Sequence, residues 1–185
     1  KPRLSGFYSV FNSFKSPLNF YTKTLISRSY SKQYSIAGLR IGYVIGNEEI
    51  MKQMEKFALF TAMYSSSIVQ YAIANKKDKM EYFINNARQI MSERMQLLYD
   101  GLNEIKGLSC KKSEGGLYIW LRCKEIEEDD KKFADRLLYN AKVATVPGSC
   151  FGKSGEGYLR VSLGAEKEKI IEAIKRIKDE IENGN

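Results

Sequence analysis

The 185-residue sequence contains no histidine. That removes the side chain most often used near neutral pH as a proton shuttle or metal ligand. Cysteine is scarce: Cys110, Cys123 and Cys150 are scattered, with neither a metal-site spacing nor a disulfide framework. No structural zinc site and no other metal is therefore expected, and the unpaired thiols point to a reducing, cytoplasmic compartment. Acidic residues are missing from one end, because the first Asp or Glu is Glu48. No apolar run approaches the roughly 18 residues of a membrane span. The opening KPRLSGFYSVF lacks the apolar core and small-residue cleavage site of a signal peptide.

What is present is an ordinary globular mixture, 43% hydrophobic and 28% charged, with 12% aromatic residues arguing against disorder. The formal charge of +8 could attract anions, from metabolites to nucleic acid. Zinc-finger spacing, a single-strand aromatic signature and an arginine-rich tail are all missing, so nucleic acid is not an expected partner. The chain begins without methionine, and residues 1–31 carry Lys1, Arg3, Lys15, Lys23 and Arg28 with no acid. We read it as a portion of something longer.

The pattern along the chain mixes two periods. Residues 1–23 read mostly as loop, 24–29 as a short strand and 39–45 as a buried strand, with Lys32 in the polar connection between them. Strand ends of this kind are where open α/β sheets keep their chemistry. Asn47 can cap a helix whose apolar face is Ile50, Met51, Met54, Phe57 and Ala58. A second helix is expected around Ile68, Tyr71 and Ala72. Apolar residues then recur at three and four from Met80 to Ile105, predicting a helix over 79–105 that Gly107 ends. It is long enough to join two domains, although a long helix inside one domain fits as well.

Short strands follow. LSCKK reads as an edge strand. GLYIWLRC alternates Leu117, Ile119 and Leu121 with Tyr118, Trp120 and Arg122. Asp129 or Asp130 can cap a helix, KVATV at 142–146 reads as a strand, and GYLRVSL at 157–163 alternates with Tyr158, Arg160 and Ser162 on its polar side. An amphipathic helix on Ile170, Ile171, Ile174, Ile177 and Ile181 closes the chain. The packing class is α+β in this region.

The segment SRSYSKQYSIAGLRIGY at 27–43 holds the chemistry. An amine nucleophile must be reachable and partly deprotonated. Ser29 and Ser31 offer hydroxyls, Arg40 a planar fork suited to phosphate oxygens, and Gly38 room for close backbone approach. Together they suit a lysine, Lys32, that binds a carbonyl compound bearing a phosphate. On residue types alone, a solvated lysine and a surface arginine are the plainer account.

The same segment closely resembles the cofactor-lysine signature of the class I/II aminotransferases, fold-type I enzymes that use pyridoxal 5'-phosphate (PLP). Their pattern is Ser-x-Ser-Lys, a few residues, then Gly-x-Arg-x-Gly-Tyr. It is matched by Ser29, Ser31, Lys32, Gly38, Arg40, Gly42 and Tyr43. YSSSIVQYA at 64–72 resembles a serine-rich segment near the family's dimer interface. GGLYIWL at 115–121 resembles the entry to a small-domain strand. VPGSCFGKSGEGYLRVSL at 146–163 resembles the late block ending Leu-Arg-(Val/Ile)-Ser. The resemblance implies that Lys32 carries PLP covalently, that Ser29 and Arg40 hold its phosphate with help from Ser31, and that Arg160 clamps the substrate α-carboxylate. From the residues alone, Arg160 reads equally as an edge-strand arginine. Phe151, Gly152 and Gly157 would shape the neighbouring loop.

The implied fold is α/β: residues 1–75 as the end of the large PLP-binding domain, and 76–185 as the α+β small C-terminal domain with its linking helix. The implied activity is transfer of an amino group between an amino acid and a 2-oxo acid, in a homodimer. Decarboxylation of a phosphorylated amino acid on the same scaffold, or a non-catalytic assembly or binding domain, are the alternatives. The family's ring-nitrogen acid, ring-stacking aromatic, and Asn and Tyr near the ring oxygen have no motif before Lys32. The isolated chain is accordingly expected to be inactive or to bind PLP weakly.

Overall fold

A computed structural model describes residues 21, 23–75 and 77–184. Most of the amino-terminal loop expected at 1–23 lies outside the described residues. The chain divides into two compact units, Lys1–Arg88 and Gln89–Asn185. The division falls inside the long helix, whereas the sequence suggested a boundary near its start.

In the first unit, β1 (Ile26–Ser29) and β2 (Gly42–Ile45) form an antiparallel hairpin pairing Ile26 with Ile45 and Ser29 with Gly42. The polar connection between them carries two turns. A one-turn helix, α1 (Tyr30–Gln33), follows β1 directly, and a 3-10 turn (Ala37–Leu39) precedes β2. The strand expected over 39–45 starts late because Arg40 has φ +49°, ψ +52°, a left-handed conformation that a strand cannot accept. Next come α2 (Glu48–Thr61) and α3 (Ser67–Asn75). Asn47 caps α2 as its sequence suggests, its Oδ1 accepting from the Glu49 N–H at 2.8 Å. The apolar stripe of α2 exists, yet no residue of this helix is buried. Phe60 is 90% exposed and Ile68, on α3, 81%.

Helix α4 (Lys77–Asn103) carries the chain from one unit into the other. Gly107, with φ +88°, stands where the chain reverses after it. The second unit is a four-stranded antiparallel sheet in the order β3 (Ser109–Cys110), β4 (Tyr118–Arg122), β6 (Tyr158–Ser162), β5 (Val146–Pro147). Helices α5 (Asp130–Tyr139) and α6 (Lys167–Asn183) complete it. The strand expected over 142–146 is only its last residue plus Pro147. Lys142, with φ +58°, breaks extended geometry at its start.

Alternation along β4 and β6 decides the layering. Ile119, Leu121 and Leu159 point into one cluster with Met95, Leu98 and Leu102 of α4, Phe133 and Leu137 of α5, and Ile170 and Ile177 of α6. Helices therefore cover one face of the sheet, and Tyr118, Trp120, Tyr158 and Arg160 lie on the other. Ile171, expected in the α6 stripe, is instead 49% exposed, one position around the helix from Ile170. Arg136 joins α5 to α6: its Nε donates to Glu180 Oε1 and its Nη2 to the Glu180 carbonyl, both at 2.8 Å. Among the described residues, no helix is long and apolar enough to cross a membrane.

Phe133 is fully enclosed. Phe133→Ala should cost about 3–5 kcal/mol in urea unfolding, while Ile171→Ala should stay within about 0.5 kcal/mol. Hydrogen bonds from Arg136, then Asn140, hold the Glu180 carboxyl below its ordinary value of 4.5. A depressed folded-state value stabilises above the unfolded value and is lost as pH falls through the folded one. Acid titration of stability should therefore show a loss below about pH 4.5 that is smaller in Glu180→Gln; equal acid slopes would count against the contact.

Candidate functional site

The hairpin of the first unit gathers four of the expected residues at one end. Ser29 ends β1 and caps α1, its Oγ accepting from the Ser31 N–H at 3.1 Å. This leaves the Ser29 hydroxyl proton to donate elsewhere. Lys32 sits on α1 with an exposed side chain. Beyond β1 the ladder continues by one bond, the Tyr30 N–H donating to the Ile41 carbonyl at 3.2 Å. That bond sets the start of α1 beside the residue following Arg40. Arg40 donates from Nη1 to the Ala37 carbonyl at 2.9 Å, on the 3-10 turn that the Leu39 N–H closes to the Ile36 carbonyl, and is otherwise exposed. Among the described residues, no carboxylate forms an ion pair with Lys32 or Arg40.

Two glycines behave differently here. A Cβ on Gly42 would lie 2.5 Å from the Arg28 carbonyl oxygen, so the hairpin demands glycine at that position. A Cβ on Gly38 would meet nothing within 4 Å, so the close backbone approach expected there is not found. Behind the turn, the Tyr30 ring packs 5.1 Å from Tyr34 and 5.3 Å from Tyr43. Burial, then the neighbouring phenols, raise the Tyr30 pKa above its ordinary value, so this packing stays neutral near pH 7.

The donor set suits the phosphate and carbonyl ends of PLP: a hydroxyl proton, a guanidinium fork and a reachable amine, all without carboxylate competitors. It does not supply the ring-nitrogen end, since no acid precedes Glu48.

The second unit holds Arg160, on the open face of an inner strand rather than an edge strand. It pairs across the ladder with Trp120 and Val146. Its guanidinium carbon lies 4.3 Å from the Tyr118 ring centroid and 4.8 Å from that of Phe151. No described carboxylate pairs with it. Phe151 meets Trp120 edge-on at 5.5 Å. Beside them, a cavity of about 370 Å³ is lined by Trp120, Phe151, Ser154, Gly155 and Tyr158.

The loop bearing Phe151 is anchored from behind. The buried Asp130 accepts from the Ser149 N–H at 2.6 Å. A Cβ on Gly148 would strike the Gly155 carbonyl and lie 2.8 Å from that of Tyr158. The Tyr118 and Phe151 contacts with Arg160 were not anticipated as part of a site. The signal available for Tyr118 was alternation, which puts it on the Arg160 face of the sheet. Phe151 arrives from a turn, for which alternation says nothing.

Comparison with known proteins gives the family. The family model for aminotransferase class I and II matches residues 5–177. The aspartate aminotransferase of Pyrococcus abyssi is 35% identical over 159 residues, covering 85% of this chain and 41% of that protein. The aromatic-amino-acid aminotransferase 2 of Thermococcus litoralis is 31% identical with the same coverages. Among solved structures, the aromatic aminotransferase from Pyrococcus horikoshii OT3 superposes with a TM-score of 0.80 at 35% identity, covering 83% of this chain and 42% of that one. The aspartate aminotransferase from Thermus thermophilus with maleate gives 0.81 at 29% identity, covering 88% and 43%. The chain belongs to the class I and II aminotransferase family, and its mixed α/β fold is that of these enzymes. It spans about two fifths of the length of the relatives it matches.

Gly148→Ala should cost about 1–3 kcal/mol, because the obstructing atoms are backbone carbonyls that cannot turn away. Thermal unfolding of the second unit would measure it; a change near zero would mean that the loop has room the geometry denies.

Proposed function

We propose that this chain supplies the cofactor lysine and the carboxylate clamp of a PLP-dependent aminotransferase that moves an amino group between an amino acid and a 2-oxo acid. The observation that carries this reading is the hairpin end. There the Tyr30-to-Ile41 backbone bond sets the turn bearing Ser29 and Lys32 beside the turn bearing Arg40, within a chain whose family is aminotransferase.

PLP, when bound, supplies an electron sink for the substrate's α-carbon. The roles left to the protein are binding, orientation and proton handling. Arg40 and the Ser29 hydroxyl would hold the phosphate, with help from Ser31. Lys32 Nζ would hold the cofactor's carbonyl end, and its amine would serve as the general base that moves a proton at the substrate α-carbon. Arg160 receives the α-carboxylate, for which its guanidinium has the matching bidentate geometry. The family's aspartate and aromatic-amino-acid aminotransferases favour transamination over decarboxylation as the reaction.

Residues 1–75 are, in this reading, the end of the large domain, and 76–185 the small domain with its linking helix. The exposed apolar side chains of α2 and α3 support a homodimer in which further protein covers them. Three free cysteines fit a reducing, cytoplasmic setting.

The test is to incubate the chain with PLP, reduce with borohydride and locate the pyridoxyl group by peptide mass spectrometry. Modification concentrated on Lys32 and lost in Lys32→Ala is expected, with capture weakened about 10- to 100-fold in Arg40→Ala. Labelling spread evenly over the surface lysines would overturn the assignment of Lys32.

A further inference from the structure

We propose that Tyr118 and Phe151 are positioning residues for Arg160, holding its guanidinium by their ring faces so that its fork stays free for an incoming carboxylate. This rests on reading Arg160 as the carboxylate-binding arginine, and adds the device that orients it.

An arginine side chain has four rotatable bonds, and an unpaired one at a surface samples many positions. Binding a carboxylate would then cost the entropy of fixing it. Arg160 is not free in this way. Its guanidinium carbon lies 4.3 Å from one ring centroid and 4.8 Å from another, both inside the roughly 6 Å range of cation–π attraction. Ring faces attract the cation without consuming its N–H donors, so the fork stays available. A carboxylate partner would fix the arginine equally well but would fill the place of the substrate. No described carboxylate does so.

Phe151 is held independently of Arg160, and the backbone that carries Tyr118 is too. The Tyr118 backbone is fixed by β4, whose pairing with β6 sets Tyr118 opposite Ser162 and Trp120 opposite Arg160. Phe151 is fixed from two sides, by the edge-on contact with Trp120 and by the turn that Asp130 anchors through the Ser149 N–H. The rings thus form a prepared seat, and the preparation lowers the cost of binding.

The test uses the 185-residue chain, maleate as the probe, and the Nε–Hε magnetic resonance of Arg160, identified by its loss in Arg160→Lys. Two ring currents should displace this resonance from those of the other arginines, and maleate should shift it further. Tyr118→Phe should keep maleate affinity within about twofold, because it retains the ring face. Tyr118→Leu and Phe151→Leu should each reduce the displacement and weaken maleate binding by about three- to thirtyfold. Should a leucine variant unfold, Phe151 replaced by pentafluorophenylalanine decides, since it keeps the shape and removes the ring's negative face; the same weakening is expected. Ring-altered chains that bind maleate as tightly as the parent would overturn the positioning role. If Arg160→Lys binds maleate like the parent, or maleate leaves the Arg160 resonance unmoved, the carboxylate reading of Arg160 fails instead, and the seat loses its purpose.

Discussion

The candidate cofactor site depends on one short stretch of backbone register. Once Ser29 pairs with Gly42, the next bond of the ladder, from the Tyr30 N–H to the Ile41 carbonyl, brings two sequence-separated turns side by side. One turn ends a strand and starts a helix, so Ser29 is both the last ladder residue and the helix cap. The other contains a left-handed residue, Arg40, just before the strand resumes. Slipping this register by one residue would turn every side chain of the hairpin to the opposite face. Gly42 resists such a slip, because no other residue fits against the Arg28 carbonyl.

The proposed carboxylate site follows a different logic. A four-stranded antiparallel sheet buries one face under three helices and leaves the other open. Period-two alternation then presents Tyr118, Trp120, Tyr158 and Arg160 together. The buried face supplies rigidity, with Ile119, Leu121 and Leu159 fully enclosed. The open face supplies chemistry: a cation seated on rings, beside an aromatic cavity. The glycine-rich turn links the two faces, since Gly148 and Gly155 pack backbone against backbone and so aim Phe151 at Arg160.

Much of the second unit was legible from residue pattern. Alternation in GLYIWLRC and GYLRVSL gave both inner strands and their faces, and Asp129 capped α5 as expected. The failures were local. Arg40 and Lys142 adopt left-handed backbone that hydrophobic pattern does not report, so two strands came out shorter than expected. The apolar residues of α2 recur with helical spacing, but periodicity does not say whether a face is covered, and no residue of this helix is buried. Lys32 and Arg40 were singled out through a motif whose spacing spans a helical turn and a 3-10 turn, which no single period describes. The ring contacts of Arg160 follow from no pattern, because Phe151 reaches it from outside the sheet.

The central claim is that the Lys32 amine and the Arg40 guanidinium act on one molecule, the first on its aldehyde and the second on its phosphate. The most direct measurement compares borohydride-trapped labelling of Lys32 by pyridoxal 5'-phosphate with labelling by pyridoxal, which lacks the phosphate, in the parent chain and in Arg40→Ala. The account predicts a strong preference for the phosphorylated compound in the parent that collapses in the variant. Equal labelling by both compounds in the parent, or a preference untouched by loss of Arg40, would contradict it.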